Sequence, residues 1–223
     1  MDPIATTTTM PGTSQRPRIA ACLQPPGQRL KLEAVAPGDA ARVELERYVR
    51  AAFQARHGAV VRSFMPTLLA FRDRSGVLRG VAGVRGAHEE RLYLEQYLDR
   101  PVEQALAVAL ASQGIGRVAR HEIAEVGNLA GASCRAAVRM VAHVPAWLMS
   151  QRYAWIVFTA TSALRQILAG FGAPLVELAR ADGGSVAAAS DEWGRYYETD
   201  PRVYAGRLRD AERLAGFVHL GDH

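Results

Sequence analysis

The stretch His121-Glu-Ile-Ala-Glu-Val-Gly-Asn-Leu-Ala-Gly-Ala-Ser-Cys-Arg-Ala136 predicts the centre of the fold. Residues 117–126 have the pattern of a short strand, the chain loosens at Gly127-Asn128, and a helix begins after Gly131. The stretch therefore brings together the carboxylate of Glu125, the carboxamide of Asn128 and the free N–H groups of a helix N-terminus. Such N–H groups attract phosphate or a polarised carbonyl oxygen, and an upstream carboxylate can accept a proton. The stretch indicates a cofactor site beside a general base.

Length and composition are typical of one soluble domain. The chain has 223 residues, 49% of them hydrophobic, which is enough for one sizeable core. No apolar run approaches the ~20 residues needed to cross a bilayer, and residues 1–14 lack the basic start and apolar stretch of a secretory signal. Two cysteines, Cys22 and Cys134, indicate neither a disulfide framework nor a metal cluster. We expect a reduced, cytoplasmic protein without a transmembrane segment; export without such a signal stays open.

The basic net charge does not indicate a nucleic-acid partner. The formal charge is +5, from 27 basic and 22 acidic residues, but Lys31 is the one lysine among them. Heavy use of arginine together with alanine is typical of a GC-rich genome. The arginines are scattered among acids, and no basic run of the kind that binds nucleic acid is present. The histidines lack the spacing of metal ligands, so we expect no metal site.

Residues 1–28 are predicted to be a disordered tail, and residues 29–223 a single domain. The tail contains repeated threonine and proline without hydrophobic periodicity. In the first half of the domain, a strand at 30–36 precedes a helix that Asp39 caps and Gly58 ends. Two apolar runs, 67–72 and 77–84, are separated by Asp73-Arg74-Ser75-Gly76 and predict a β-hairpin.

The second half is predicted to alternate helices with strands. The elements in order are an apolar run at 92–94, a helix that opens at Pro101 and runs to about Ser112, the strand at 117–126, a helix that Pro145 kinks or divides, a buried strand at 155–160, a helix capped by Thr161 that ends at Gly170, and a strand at 174–179. This order combines an antiparallel first half with parallel crossovers. It predicts an α/β fold with one central mixed sheet flanked by helices.

The element order resembles that of the GNAT superfamily of N-acyltransferases. The strand–loop–helix at 125–137 stands where that fold holds the pyrophosphate and the pantetheine arm. Autoinducer (acyl-homoserine lactone) synthases share the fold. The resemblance implies a GNAT-like acyltransferase domain that binds its donor where two parallel strands separate.

Several strings resemble the family named thermostable hemolysin. They are Phe64-Met-Pro-Thr-Leu-Leu69, Gly83-Val-Arg-Gly-Ala87, Leu92-Tyr-Leu-Glu-Gln-Tyr-Leu98, Glu125-Val-Gly-Asn-Leu-Ala130, Trp155-Ile-Val-Phe-Thr-Ala-Thr161 and Trp193-Gly-Arg-Tyr-Tyr197. The chain is therefore identified as a member of that family. Its name describes a lytic phenotype and not a mechanism.

These resemblances imply transfer of an acyl group from a pantetheine thioester to an amine acceptor. The donor is either acyl-CoA or an acyl carrier protein, and no tightly bound cofactor is expected. Glu125 is the expected base, since a carboxylate that burial brings toward neutral pKa can take a proton from the amine. Glu95 is expected to be a second base or a contact for a cationic acceptor. The alternative for Glu125 is a strand-end carboxylate that backbone N–H groups satisfy, and the alternative for Glu95 is a surface charge beside a core strand.

The loop after Glu125 is the expected donor-binding element. Asn128 either holds the thioester carbonyl or pantetheine amides, or bridges a β-bulge. The donor contacts expected after it are Leu129, Ala130, Gly131, Ala132, Ser133 and Arg135. The alternative is a tight turn in which Gly131 serves geometry alone.

Further residues are expected to contact the acceptor or the acyl chain. Arg85 either pairs with an acceptor carboxylate or forms an ion pair with Glu89 or Glu95. Tyr97 follows the hairpin, where the resemblance to GNAT folds implies the acceptor pocket. The aromatic cluster of Trp193, Tyr196 and Tyr197 lines an acyl pocket, supplies a phenol as general acid, or packs the C-terminal segment onto the sheet.

Two other functions remain open at this point. A membrane-active lytic protein would need an exposed amphipathic face, and the predicted helices are patterned for a core. A non-catalytic GNAT-like module would bind ligand without turnover.

Overall fold

The computed structural model describes residues 30–185 and 191–211. Over these residues seven strands form one mixed sheet in the order β1-β2-β3-β4-β5-β7-β6. The strands are β1 (Lys31–Val35), β2 (Thr67–Arg72), β3 (Leu78–Gly86), β4 (Ile123–Gly131), β5 (Trp155–Ala160), β6 (Leu175–Arg180) and β7 (Arg202–Arg207). Only β4 and β5 pair in parallel; the other neighbouring strands are antiparallel.

Helices cover both faces of this sheet. The α-helices are α1 (Arg42–His57), α2 (Val102–Ala109), α3 (Cys134–Ser150) and α4 (Ser162–Gly170). Short 3-10 helices lie at Tyr93–Tyr97, Ala111–Gln113, Arg120–Glu122, Gly183–Ser185, Asp191–Trp193, Tyr197–Thr199 and Leu208–Ala211. Helices α1 and α2 pack on one face and α3 and α4 on the other, because side chains that alternate along each strand join different apolar clusters. On β4, for example, Ile123 and Ala124 belong to opposite faces.

Local sequence explains most element boundaries. Helix α1 buries Leu45 and Val49 and ends at Gly58, whose φ of 68° is the left-handed conformation that glycine adopts readily. Ser133 caps α3 by accepting a hydrogen bond from the N–H of Ala136 at 3.1 Å. Thr161 caps α4 in the same way, through Leu164.

Four expectations from the sequence need correction. The strand expected at 117–126 begins at Ile123 and continues to Gly131, because β3 stays paired with it as far as Gly80. The apolar run at 92–94 enters a 3-10 helix and not a strand. Pro145 does not divide α3. Strand β7 was missed, and it inserts between β5 and β6. The expected tail, residues 1–28, lies outside the described residues.

Candidate functional site

The parallel strands β4 and β5 separate at the centre of the sheet. Their pairing runs from Ile123 opposite Trp155 to Val126 opposite Phe158 and then stops, although both strands continue. Beyond Val126 a β-bulge changes the register of β4 against β3. Asn128 sits in the bulge with a φ of 46°, a conformation that asparagine tolerates better than most residues. The result is an open gap between two parallel strands.

A cavity of about 400 Å³ fills this gap. Its walls include Glu125 from one face of the sheet and Phe158 from the other, so the cavity passes between β4 and β5. The expected site residues that line it are Arg85, Tyr97, Glu125, Asn128, Leu129, Gly131, Ser133 and Trp193. Ala130, Ala132, Arg135, Glu95 and Tyr197 are not among its lining residues. The structure thus brings most of the expected residues to one place.

Glu125 is a buried carboxylate in the wall of the cavity. Its side chain is only 3% exposed. One carboxylate oxygen accepts a hydrogen bond from the N–H of Tyr93 at 2.8 Å and the other from the N–H of Leu94 at 2.9 Å. Burial raises the pKa of Glu125 from 4.5 to about 7, against the opposing effect of these two N–H groups and of Arg85. A carboxyl group with such a pKa exchanges its proton at neutral pH.

Asn128 holds the bulge to the chain segment that follows α1. Its Oδ1 accepts a hydrogen bond from the N–H of Met65 at 2.9 Å, which is the bridging role that the sequence left as one alternative. Gly83 stands opposite, where a Cβ atom would lie 2.8 Å from that oxygen. Among the described residues, the side-chain Nδ2 of Asn128 donates no hydrogen bond.

A backbone N–H group of β4 faces the gap. Ala132 donates its N–H to Arg79 O on β3 at 3.0 Å. Since residues of an antiparallel ladder alternate in direction, the N–H of Gly131 is directed away from β3, to the open side. Leu129 lies in the bulge and lines the cavity. Gly131 also permits a close approach of strand and helix, because a Cβ atom there would lie 3.1 Å from Ala137 N.

The cysteine at the start of α3 departs from expectation. Cys134 is disulfide-bonded, and the other cysteine of the sequence, Cys22, lies outside the described residues. The expectation of a reduced Cys134 was therefore wrong, and the cysteine content does not support a reducing compartment.

Glu95 does not reach the cavity, and its partners give it a structural role instead of the expected catalytic one. Its oxygens accept hydrogen bonds from Arg120 Nη1 at 2.7 Å and Nη2 at 2.8 Å, and from the N–H groups of Leu92 and Val102. Although burial opposes it, hydrogen bonding to Arg120 and to the backbone lowers the pKa of Glu95 to about 2. A carboxylate so held fixes the 3-10 helix at Tyr93–Tyr97 against α2, and accepts no proton near neutral pH.

Arg85 is one of the residues that line the cavity. The sequence left an ion pair with Glu89 or Glu95 as one alternative, but the Nε of Arg85 lies 3.2 Å from the carboxylate of Glu90 instead. That contact lacks the angle of a hydrogen bond, and the buried Nε atom makes none among the described residues.

Aromatic side chains form the wall of the cavity next to Glu125. Trp193 contacts the rings of Phe53, Tyr93 and Tyr196, with ring centres 5.2–6.1 Å apart. The hydroxyl of Tyr97 lies 2.9 Å from that of Tyr197, and burial raises the pKa of both phenols. Tyr196 belongs to the aromatic cluster expected from the sequence. Phe53 and Tyr93 were missed, because α1 and the 3-10 helix at Tyr93–Tyr97 bring them here from distant positions.

No described helix is long and apolar enough to cross a membrane.

Several solved synthases of N-acyl amino acids and of acyl-homoserine lactones superpose on this fold. FeeM, an N-acyl amino acid synthase from uncultured soil microbes, superposes with a TM-score of 0.56 at 15% identity, over 87% of this chain and 98% of its own. MesI, a CoA-dependent acyl-homoserine lactone synthase, gives 0.52 at 17% identity, over 85% and 95%. LasI, an AHL synthase, gives 0.54 at 10% identity, over 85% and 96%. The expected GNAT-like fold is confirmed.

The sequence itself has one informative match. No curated protein matches the chain at a significant level. The family model described as thermostable hemolysin matches residues 35–212. These residues include all four described α-helices and the whole of strands β2 to β7, but only part of β1. The chain therefore belongs to the thermostable hemolysin family.

Proposed function

We propose that this protein is an acyltransferase that moves an acyl group from a pantetheine thioester to an amine, with Glu125 as the general base. One observation carries the proposal: a buried carboxyl group with a pKa of about 7 lines a cavity at the point where two parallel strands separate. The shared fold supports it, since FeeM and MesI are acyl-transferring synthases. The donor is CoA or an acyl carrier protein.

The donor's pantetheine arm would lie in the gap between β4 and β5. There, the N–H groups of Leu129 and Gly131 and the Nδ2 of Asn128 would bind its amide and carbonyl oxygens, since all three residues line the cavity. A preorganised N–H group stabilises an oxyanion because it needs no reorientation when charge develops. We assign the thioester carbonyl oxygen to the N–H of Leu129, because Leu129 is closer than Gly131 to Glu125 along β4.

The reaction then needs one proton acceptor. The amine nitrogen attacks the thioester carbon, a C–N bond forms, and Glu125 takes a proton from the nitrogen. The C–S bond breaks when the oxyanion collapses, and the leaving thiolate is protonated by Glu125, which returns to its carboxylate form. The products are an amide and a free thiol. Each oxygen of Glu125 keeps a lone pair for this proton, because one backbone N–H binds each of them within the part of the chain that the structure describes.

The test is a search for product with purified protein. Acyl-CoAs and acyl carrier proteins of several chain lengths are incubated with a panel of amines, free thiol is measured, and amides are identified by mass spectrometry. Glu125→Gln should lower the rate roughly 10²- to 10⁴-fold, as expected for loss of a general base.

A matched variant controls for removal of a carboxylate from a strand. Glu33 on β1 is exposed and does not line the cavity, so Glu33→Gln should retain the wild-type rate. Unchanged turnover in Glu125→Gln would exclude Glu125 as the base. If no donor releases thiol with any amine, the proposed reaction is wrong.

A further inference from the structure

Arg85 and Glu125 are direct neighbours across two strands. They form a register pair between β3 and β4, so their side chains leave the same face of the sheet with Cβ atoms roughly 5 Å apart. Both line the cavity. Among the described ion pairs none joins them: Glu125 is held by backbone N–H groups, and the nearest carboxylate to Arg85 is that of Glu90. The cavity wall therefore presents a cation and a proton acceptor side by side.

The hydrogen-bonding capacity of Arg85 is largely unused. Its side chain is 16% exposed, its Nε makes no hydrogen bond, and its Nη1 donates a long bond of 3.4 Å to Arg91 O. Buried polar atoms in folded proteins nearly always have a partner, so an unpaired one calls for a ligand or water. Glu90 does not meet this need, because its carboxylate is 58% exposed and exposed ion pairs contribute little.

The aromatic wall adds a third feature. The rings of Tyr93 and Tyr97 are in contact with centres 6.4 Å apart, and Tyr93 also contacts Trp193 at 5.9 Å. All three line the cavity with Arg85 and Glu125. The N–H of Tyr93 is itself a partner of Glu125, so this wall begins directly beside the base. A flat or bulky apolar group would gain contacts here without desolvating a charge.

Resting on the proposed acyl transfer, we propose that the acceptor is an α-amino acid with an aromatic or bulky apolar side chain, whose carboxylate binds Arg85 while its amine faces Glu125. An α-amino acid carries amine and carboxylate on one carbon, which matches a cation and a proton acceptor that are neighbours across two strands. A planar guanidinium group binds a carboxylate through two parallel hydrogen bonds. The third substituent of the same carbon is then directed to the aromatic wall.

The experiment compares each amino acid with its decarboxylated amine. Initial rates are measured for phenylalanine and phenethylamine, and for tyrosine and tyramine, with wild type, Arg85→Met and Arg85→Lys. The assays run near pH 8.5, because removing Arg85 raises the pKa of Glu125 and the base must be ionised in every variant. Arg74→Gln in the exposed hairpin turn is the matched loss of a positive charge.

We expect Arg85→Met to raise the KM for the amino acids roughly 10- to 100-fold, as for loss of a charge-assisted pair, and to leave the KM for the decarboxylated amines within about twofold. The KM of Arg85→Lys for the amino acids should lie between those of wild type and Arg85→Met, and the KM values of Arg74→Gln should match those of wild type. Because the comparison is a ratio within each variant, partial misfolding does not affect it. Glycine and aspartate should be poor acceptors in wild type.

Three results would overturn the inference. The first is a ratio between amino acid and decarboxylated amine that Arg85→Met leaves unchanged. The second is wild-type protein that acylates both classes of amine equally, and the third is glycine or aspartate used as well as phenylalanine. In each of these cases acyl transfer itself still stands, whereas an absence of acylation with every amine would refute the proposed function instead.

Discussion

Raising the pH through about 7 should increase the rate of acyl transfer and decrease the stability of the fold, because both depend on one proton at Glu125. The rate increases because only the ionised carboxylate accepts a proton from the amine. Stability decreases because burial raises the pKa of this group, so the folded protein holds the proton more tightly than the unfolded chain does. This contribution is present in full below pH 4.5, the ordinary pKa of the group, and is lost as the pH rises through about 7.

The structure gives the size of the stability effect. A rise of the pKa from 4.5 to about 7 corresponds to about 3 kcal/mol, at about 1.4 kcal/mol for each tenfold change in the dissociation constant. Glu125 is 3% exposed, so solvent screens little of this energy. Glu125→Gln removes the titration and keeps the shape of the side chain. The free energy of unfolding of wild type minus that of Glu125→Gln should therefore fall by about 3 kcal/mol between about pH 4 and pH 8.

Two measurements check this reasoning. Urea unfolding of both proteins at several pH values gives the difference in stability, in which the titration of all other groups cancels. The pH dependence of kcat/KM gives the second value, since its acidic limb reports the pKa of the base in the free enzyme. The two apparent pKa values should agree near 7. A stability difference that is flat or rises with pH would refute the raised pKa, and an acidic limb near pH 4.5 would refute the link between burial and catalysis.

Three further predictions concern the surroundings of the base. Glu95→Ala should lower the free energy of unfolding by about 3 kcal/mol, as measured by denaturant titration. This is the low end of the cost of breaking a buried ion pair, because Arg120 keeps its second partner, Glu103. A loss below about 1 kcal/mol would contradict the structural role of Glu95. Asn128→Ala should raise the donor KM and cost about 1–2 kcal/mol of stability, since the N–H of Met65 loses its acceptor; an unchanged donor KM would remove Asn128 from the donor site. Gly131→Ala should lower the free energy of unfolding by about 1–3 kcal/mol, because its Cβ would lie 3.1 Å from the backbone of α3. A melting temperature equal to that of wild type would contradict this steric conflict between strand and helix.

Elements encoded by short-range patterns were predicted well from the sequence. The hairpin of β2 and β3 follows from two apolar runs around Asp73-Arg74-Ser75-Gly76, and β5 follows from a continuous apolar run. Helix α4 has its cap at Thr161, where it was expected. In each case the residues that decide the element lie within a few positions of it, so tertiary contacts need only agree with the local preference.

The elements that were missed depend on distant parts of the chain. Strand β7 has alternating burial at Val203 and Ala205, but it is short and contains Gly206, and its place between β5 and β6 is set by pairing on both edges. The segment Tyr93–Tyr97 is apolar enough for a strand. It forms a 3-10 helix because the carboxylate of Glu95 binds the N–H of Leu92, and the N–H groups that open the helix bind Glu125, 32 residues away in the case of Tyr93.

The two glutamates expected as bases show why a site cannot be assigned from residue type alone. Glu95 and Glu125 are equally buried, at 5% and 3% exposure, yet hydrogen bonds to Arg120 and the backbone bring the pKa of one to about 2, while burial brings that of the other to about 7. The difference is the partner: Glu95 has a guanidinium group, whereas the hydrogen-bond donors to Glu125 among the described residues are neutral backbone N–H groups. A charge that balances a carboxylate fixes it as an anion, and a neutral setting leaves its proton free to move. The arginine that could have balanced Glu125 is Arg85, its neighbour across the strands, which lines the cavity and lies against Glu90 instead. A substrate carboxylate bound by Arg85 would leave Glu125 free to accept a proton.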